Sequence, residues 1–481
     1  MKRKEGMSSV LDAVRVIDFG QYIAGPLTAM LLADQGADVI RVDPPGGPLW
    51  DTPANATWNR GKRRITLHLK QPDDQEGLTD IDRLMGDPQV RAAHLRRARE
   101  LFKTRTAQDW EDLVARAGSE CAVCRTSAEW FGHPHARASQ MVLEVNDPRY
   151  GAMLQPGINV RLSRTPGAVR RPAPLTDQHR AEILTEAEVP ARPVPPTQFV
   201  STIRAALAGV RVLDLCIILA GPPCGRMLAE FGADVIKIDN PTRGGYVSSH
   251  NDVNRGKRSL LLDLRSAAGR EVFWRLLADA DVVVQNYRAG KLAKLGLSYE
   301  DVRQRKPDII YASLNAFGHV GPWAERPGHE QFAQAMTGMQ CRFGGDGPPM
   351  LQPNPINDYG TGFMSAYAAA LALLHHRRTG EGQHVDTALA YTAMIHQSPF
   401  MQVYTGKRWD EPSGQDRRGS GPLHRAYRAR DGWFCIGACQ EDAPPLAAVD
   451  GLASRRSMGR LWSRPWRPTL AGILWLTGSS A

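Results

Sequence analysis

The sequence predicts an α/β fold built on a doubly wound parallel sheet, and it predicts that this fold is duplicated. Residues 14–45 and 210–241 are closely similar, and the similarity resumes at 59–70 and 254–265, which indicates two copies of one module. Each copy reads as strand, turn, helix and strand, and such a βαβ unit implies parallel strands. The chain of 481 residues is also longer than one ordinary hydrophobic core needs.

The second copy shows the elements of this unit in order. They are a strand at 210–215, a turn at 220–222, a helix at 226–231 and a strand at 235–238. Pro222 stands where a helix can begin, and Gly232 follows the helix at a position that favours glycine. Asp239 ends the second strand, and Asp43 ends the matching strand of the first copy. Both copies therefore predict the same βαβ unit.

Beyond this unit the second copy continues to alternate between helices and strands. The predicted segments are helix 272–280, strand 281–284, helix 297–306, strand 309–314 and helix 362–378. A segment rich in glycine and proline separates the last strand from the last helix. The continued alternation predicts a Rossmann-like doubly wound sheet.

Composition divides the chain into five segments. They are the first-copy opening segment at 1–70, a segment at 71–188 that neither copy of the repeat explains, a proline-rich linker at 189–207, the second-copy domain at 208–440, and an atypical tail at 441–481. Four prolines between 190 and 196 predict that the linker is extended. The tail carries tryptophan, arginine and serine without a clear period, so it predicts neither strands nor a sound helix.

The charge balance favours an anionic ligand. Lys and Arg together number 60 against 50 for Asp and Glu, which gives a formal net charge of +10. The basic residues are spread along the chain, and the aromatic residues are not interleaved with them as a base-stacking surface requires. We therefore expect a phosphate-bearing small molecule rather than nucleic acid.

The hydropathy pattern predicts no membrane segment. The longest strongly apolar run, from Ala366 to Leu374, is too short to cross a bilayer. Near the start of the chain, Asp12, Arg15 and Asp18 interrupt the apolar core that a signal peptide needs. We expect a cytoplasmic location and no membrane partner.

Neither a metal nor a dinucleotide cofactor is predicted. The seven cysteines read as free thiols in a chain of this length. Cys121 and Cys124 have His133 and His135 downstream, but this spacing is atypical of zinc sites. Asp239 could bind a ribose, yet Ala-Gly-Pro stands in place of the G-x-G-x-x-G turn of dinucleotide-binding proteins.

Several motifs of the second copy occur together and in order. They are VLDL at 212–215, AGP at 220–222, GADVIKID at 232–239, NRGKRSLLLDL at 254–264, DVVVQNYRAG at 281–290, NDYGTG at 357–362 and RRTGEGQHVD at 377–386. On these motifs the chain resembles the family III CoA-transferases, which include formyl-CoA transferases, carnitine CoA-transferases and α-methylacyl-CoA racemases. The resemblance implies CoA-transferase activity, with coenzyme A or an acyl-CoA as substrate and no permanently bound cofactor.

The resemblance is divided unevenly between the two copies. Residues 14–70 match the family's opening segment and 102–188 its closing segment, with no family middle between them. The second copy has the opening and the middle and stops resembling the family near residue 440. Family members pair as interlocked homodimers, so the resemblance implies a homodimer here. The segment at 102–188 could complete either module, within one chain or between two.

Asp358 is the predicted catalytic residue. It stands before Tyr359-Gly360-Thr361-Gly362 and the long predicted helix, so we expect an ionised carboxylate facing the positive helix end. Gly360 and Gly362 would leave backbone N–H groups accessible to an oxyanion. A helix N-cap is the structural alternative. The resemblance implies that Asp358 attacks the thioester, giving an acyl-aspartyl anhydride and then an aspartyl-CoA thioester, before a carboxylic acid accepts the CoA.

The resemblance also implies a CoA-binding surface in the second copy. Its matching positions are Ile218, Leu219, Leu262, Arg265, Asn286, Tyr287 and Lys294. The basic turn of Arg255, Lys257 and Arg258 could add phosphate attraction, with a solvated turn as the alternative. Leu219 and Asn240 stand where formyl-CoA transferases carry Gln and Arg, which argues against formyl-CoA itself.

His329 supports a second function. It occupies the position of the histidine that racemases of this family use together with an aspartate to move the α-proton of an acyl-CoA. Three functions thus stay open: a CoA-transferase, an acyl-CoA racemase or epimerase that uses His329 and Asp358, and a catalytically inactive CoA-binding protein.

Overall fold

The chain divides into two units, Met1–Val123 and Cys124–Ala481. The computed structural model describes residues 15–18, 29, 33, 37–43, 62–66, 88–187, 205–241, 250–410, 413–415, 419–421 and 424–438. The predicted first-copy turn, most of the linker and the tail at 441–481 lie outside the described residues. Among the described helices, none combines the length and apolar character that crossing a bilayer demands.

A parallel sheet is the centre of the first unit. The described elements are strands β1 (Arg15–Asp18), β2 (Asp38–Asp43) and β3 (Arg63–Thr66) and helices α1 (Pro88–Phe102) and α2 (Ala107–Arg116). The strands pair in the order β1-β2-β3. The parallel pairing of β1 with β2 is the geometry predicted for the repeated unit.

A seven-stranded sheet is the centre of the second unit. The strands of this unit are β4 (Val142–Asp147), β5 (Gly151–Pro156), β6 (Arg161–Leu162), β7 (Arg211–Asp214), β8 (Asp234–Asp239), β9 (Arg258–Leu261), β10 (Val282–Gln285), β11 (Ile310–Asn315), β12 (His384–Ala388), β13 (Gly419–Gly421), β14 (His424–Arg428) and β15 (Trp433–Gly437). The central sheet has the order β6-β12-β11-β10-β7-β8-β9, β4 pairs with β5, and β13 to β15 form a separate sheet. Among the described strands of the central sheet, β6 alone runs antiparallel to its neighbour.

This strand order confirms the predicted doubly wound parallel sheet. β7, the first strand of the second copy, lies in the middle, with β8 and β9 on one side and β10 to β12 on the other. The direction of winding therefore reverses between β7 and β10. In open α/β sheets, ligands bind outside the carboxyl ends of the strands at this switch point.

Helices cover both faces of the central sheet. The helices of the second unit are α3 (Ser127–Gly132), α4 (Pro134–Ala138), α5 (Arg180–Ala187), α6 (Pro222–Glu230), α7 (His250–Val253), α8 (Ala267–Leu277), α9 (Tyr299–Arg305), α10 (Glu330–Thr337), α11 (Met339–Gly344), α12 (Ile356–Thr379) and α13 (Leu389–His396). α6 and α12 contribute to the core on one face, and α8 and α9 to the core on the other. All four residues of β10 are buried, as a strand with both faces covered requires.

Residues from the segment predicted at 71–188 complete this sheet. Leu162 of β6 pairs with Val385 of β12. Thr387 donates its hydroxyl to the Asn159 carbonyl and side-chain oxygens at 3.0 and 2.7 Å, and the Arg125 N–H donates to the Ala335 carbonyl at 2.9 Å. Within one chain, therefore, part of this segment packs with the second copy.

A buried histidine strengthens the same contact. His135 is fully buried, with Nε2 2.8 Å from the Phe317 carbonyl oxygen, while Nδ1 accepts the Trp323 N–H at 3.1 Å. Burial is the main cause that lowers the pKa of His135 to about 4, so the ring is neutral near pH 7. Both ring nitrogens are thus used inside the fold.

A buried lysine–aspartate pair fixes the start of each βαβ unit. Lys257 Nζ lies 2.7 Å from Asp214 Oδ2, 2.8 Å from the Pro222 carbonyl oxygen and 3.0 Å from Asn254 Oδ1. These three bonds use the donors of the ammonium group. In the first unit Lys62 Nζ lies 2.7 Å from Asp18 Oδ2. The two copies of the repeat therefore share this buried ion pair.

Replacing Lys257 by Met should lower the free energy of unfolding by about 3–5 kcal/mol, because Asp214 is left as a buried charge without its partner. Arg258→Gln is the matched control. The Arg258 side chain is 63% exposed in its pair with Asp234, so its loss should cost less than about 1 kcal/mol. Urea unfolding followed by circular dichroism compares the two, and equal losses would contradict this view of Lys257.

Candidate active site

Asp358 lies in the first turn of α12. The helix begins at Ile356 rather than at the predicted Gly362, and its N-cap is Pro355. The N-cap alternative for Asp358 is therefore wrong, because Asp358 is inside the helix. Its side chain is 8% exposed, and it still lies at the positive end of the helix dipole.

A second buried carboxylate, that of Glu330, holds the start of α12. Glu330 Oε2 accepts the Asp358 N–H at 2.7 Å, and Oε1 accepts the side-chain amides of Asn357 at 2.7 Å and Gln334 at 2.8 Å. It thereby satisfies an amide that the first helical turn leaves unpaired. Sequence reasoning missed Glu330, although its place directly after His329 was the available signal.

The environment of Asp358 favours its protonated form. Burial is the largest cause that raises the pKa of Asp358, to about 7; the neighbouring Glu330 charge raises it further, and His329 lowers it. Burial also raises the pKa of Glu330. This raised pKa argues against the expectation of a carboxylate that simply stays ionised.

Gly360 and Gly362 have a different role from the predicted one. Both lie within α12, where the N–H groups bond to carbonyls one turn earlier, so the predicted oxyanion site is wrong. A Cβ at Gly362 would lie 2.7 Å from the Ala220 carbonyl oxygen. Residues four apart share a helix face, so Asp358 lies on the face that meets the turn between β7 and α6.

That turn is held in a strained shape. Ile218 has a φ of +63° and is 40% exposed, and few non-glycine residues adopt such a backbone. Asn286 Oδ1 accepts the Ile217 N–H, and Asn286 Nδ2 donates to the Ile217 carbonyl, both at 2.7 Å. The Asn286 amide, predicted to bind CoA, is therefore used to shape the turn.

Other predicted CoA-binding residues follow strands of the central sheet. Leu219 follows β7, Leu262 and Arg265 follow β9, and Tyr287 follows β10. Because the strands are parallel, their carboxyl ends lie along one sheet edge. These residues therefore lie along the carboxyl edge of the central sheet, on both sides of the switch point.

A group of cations follows β10 at this edge. Lys294, which the sequence predicted, is exposed in a single helical turn at Ala293–Leu295. Burial, Arg288 and Lys294 lower the pKa of Lys291, so the charges of these three residues influence one another. Sequence reasoning named only Lys294, although all three lie within seven positions.

The three residues of the basic turn all pair with acids, but only Lys257 is buried. Lys257 is buried against Asp214, so its predicted phosphate contact is wrong. Arg258 donates twice to Asp234, at 2.7 and 2.6 Å. Arg255 pairs with Glu230 and Asp252. Both arginine side chains remain more than half exposed beside these acids, so their predicted attraction for phosphate stays a prediction.

His329 precedes Glu330 and is exposed at the start of α10. Its electrostatic effect on the pKa of Asp358 indicates that the two side chains are near each other.

The cysteines were expected to be free thiols rather than metal ligands. Within the described ranges, no three side chains of His, Cys, Asp or Glu come together to hold an ion.

The sequence of this chain is similar to those of several known proteins. A sequence model of CoA-transferase family III matches residues 11–82, 82–180 and 207–454. The CoA-transferase/lyase DddD of Marinomonas sp. is 29% identical over 372 residues, 74% of this chain and 44% of that protein. The succinate–glutarate CoA-transferase of Agrobacterium fabrum is 41% identical over 202 residues, 38% of this chain and 50% of that protein.

Two further similarities belong with these. The mouse alpha-methylacyl-CoA racemase is 33% identical over 265 residues, 54% of this chain and 68% of that protein. A CAIB/BAIF family protein of Brucella suis has a solved structure with 33% identity and a TM-score of 0.46, covering 52% of this chain and 70% of that one. The chain spans about half the length of the first CoA-transferases that it matches.

Asp358→Asn should stabilise the fold more at pH 8 than at pH 5. The pKa of Asp358 is raised in the folded state. The protonated carboxyl group therefore stabilises the fold fully below the pKa that Asp358 has in the unfolded chain, and this stabilisation is lost as pH rises toward 7. The asparagine variant avoids this loss. The difference in unfolding free energy between variant and wild type should grow by roughly 2–3 kcal/mol from pH 5 to pH 8.

Urea unfolding at both pH values measures this difference, and Asp410→Asn, at an exposed position, is the control that should show no such growth. An equal effect of Asp358→Asn at both pH values would mean that Asp358 is ionised throughout.

Proposed function

The chain belongs to CoA-transferase family III, and we propose from this that it transfers CoA from an acyl-CoA to a carboxylic acid through Asp358. One observation carries the proposal: a buried carboxylate in the first turn of α12 faces the turn at the switch point of the sheet. The cations that follow β10 offer attraction for the phosphates of CoA. A homodimer and a cytoplasmic location stay predictions.

The proposed reaction keeps the acyl group and CoA in balance. The Asp358 carboxylate attacks the thioester carbonyl, the C–S bond breaks, and CoA leaves as a thiolate. The thiolate then attacks the aspartyl carbonyl of the mixed anhydride, which releases the donor acid and leaves an aspartyl-CoA thioester. The acceptor carboxylate then attacks the aspartyl-CoA thioester and releases the CoA thiolate, which leaves a second mixed anhydride. The thiolate attacks the acyl carbonyl of the acceptor, so the acceptor leaves as its CoA thioester and Asp358 is again a free carboxylate.

Burial of Asp358 supports such a nucleophile. A carboxylate with a raised pKa is more basic than an exposed one, and about half of it is ionised at a pH equal to its pKa. Removal from water also strengthens its interactions with charges that develop nearby. Relatives of this chain are named for succinate, glutarate and mesaconate, so we propose dicarboxylic acids and their CoA thioesters as the first substrates to test.

A racemase is the second candidate, and the pKa of Asp358 favours it. A group that titrates near pH 7 suits acid–base catalysis, and His329 lies close enough to influence that pKa. In this reaction one of the two side chains would remove the α-proton of a 2-methylacyl-CoA, and the other would return a proton to the opposite face. The similarity to the mouse racemase supports the same alternative.

Hydroxylamine added during turnover should leave a hydroxamate on the peptide that contains Asp358, as mass spectrometry would detect. The donors are succinyl-CoA and other acyl-CoAs, each with a free dicarboxylic acid. Asp358→Asn should remove the adduct and lower transfer by at least about 10³-fold, because the nucleophile is lost. His329→Ala should lower transfer by less than about tenfold, because transfer needs no α-proton removal.

The opposite pattern would favour the racemase. In that case no adduct forms on Asp358, and solvent deuterium enters the α-carbon of a 2-methylacyl-CoA in wild type but not in His329→Ala. CoA binding without either reaction would identify a catalytically inactive CoA-binding protein.

A further inference from the structure

Three side chains form a hydrogen-bonded row from the interior to the surface. Glu330 Oε1 accepts the Asn357 amide at 2.7 Å, and Asn357 Oδ1 lies 3.2 Å from His396 Nδ1. Asn357 is fully buried, whereas His396, the last residue of α13, is exposed. The row therefore links a surface histidine to the carboxylate that holds the first turn of α12.

The chemistry of the row fixes the histidine tautomer. Because a carboxylate only accepts, Asn357 must turn its NH₂ group toward Glu330 and its oxygen toward His396. The ring nitrogen at 3.2 Å must then carry a proton and donate it. His396 is thereby assigned as the Nδ1–H tautomer, which leaves Nε2 as an acceptor.

Gly360 makes room for this arrangement. A Cβ at Gly360 would lie 2.8 Å from His396 Cε1, 3.1 Å from His396 Nε2 and 2.7 Å from Thr392 Cγ2. Any other residue would push α13 or the imidazole away from α12. The absence of a side chain at 360 therefore serves the close approach of His396 to Asn357.

Glu330, the innermost residue of the row, also holds the backbone of Asp358. The second oxygen of Glu330 accepts the Asp358 N–H. If the Asn357 amide turned over, its oxygen would face Glu330 Oε1, and two acceptors would repel each other. Glu330 would then have to move, and the N–H that it holds belongs to Asp358.

We propose that His396 is a positioning residue for Asp358, because its Nδ1–H keeps the Asn357 amide in the one orientation that leaves Glu330 on the Asp358 N–H. This inference rests on the proposed function where it concerns catalysis. The alternative is that His396 only fills space between two helices, in which case an apolar residue of similar size would serve equally well.

The tautomer is tested without any activity. Long-range ¹H–¹⁵N spectra of the full chain labelled at histidine distinguish Nδ1–H from Nε2–H, and the signal of His396 is identified by its loss in His396→Leu. We expect the Nδ1–H tautomer at pH 8. The Nε2–H tautomer would overturn the proposal whether or not the protein transfers CoA.

Kinetics of a matched variant series test the effect on Asp358. The amide nitrogen of Asn matches the Nδ1 position of His, and that of Gln matches the Nε2 position, so only Asn can restore the lost donor. His396→Leu and His396→Gln should lower kcat by roughly tenfold with KM for acyl-CoA within about twofold, as small misplacements of a reacting group do. His396→Asn should retain at least about half of the wild-type kcat.

His376→Leu is the control, because His376 lies near the other end of α12 beside Asp308. It should leave kcat unchanged. A wild-type kcat in His396→Leu, or equal losses in the Asn and Gln variants, would overturn the proposal. If the wild type formed no adduct on Asp358, the proposed function would fail, and the histidine spectra would still decide whether the row exists.

Discussion

The buried carboxylate of Glu330 is the contact on which the candidate active site depends. Its two oxygens hold the Asp358 N–H and the Asn357 amide, so the first turn of α12 is fixed by a residue of α10. The same charge adds to burial in raising the pKa of Asp358. One side chain thus holds the backbone of the candidate nucleophile and adds to the rise in its pKa, which ties the geometry of the site to its chemistry.

The central sheet draws one strand from outside the second copy. β6 lies in the segment at 71–188, before the second copy in sequence, and it pairs with β12 of that copy. Asn159 and His135 bond across to residues of the second copy. Within one chain, therefore, residues from the segment at 71–188 complete the central sheet of the second copy.

The strands could be predicted from the sequence, and the start of α12 could not. β10 begins with three consecutive valines, as a strand with both faces buried favours, and that signal is local. The first turn of α12 follows Pro355 and is held by Glu330, 28 residues before Asp358, so no local pattern marks it. Likewise the sequence suggested accessible N–H groups at Gly360 and Gly362. The residues that these glycines approach lie on α13 and in the turn before α6, far away in sequence. Lys257 looked solvated because its buried partner Asp214 is distant in sequence.

Direct titration of the Asp358 carboxyl group would show whether burial and the Glu330 charge together raise its pKa. Infrared difference spectra between wild type and Asp358→Asn, recorded from pH 4 to pH 9, follow this one group. We expect a pKa near 7 in wild type and a lower value in Glu330→Gln, which removes the neighbouring charge. A wild-type pKa below about 5, unchanged in Glu330→Gln, would contradict this expectation.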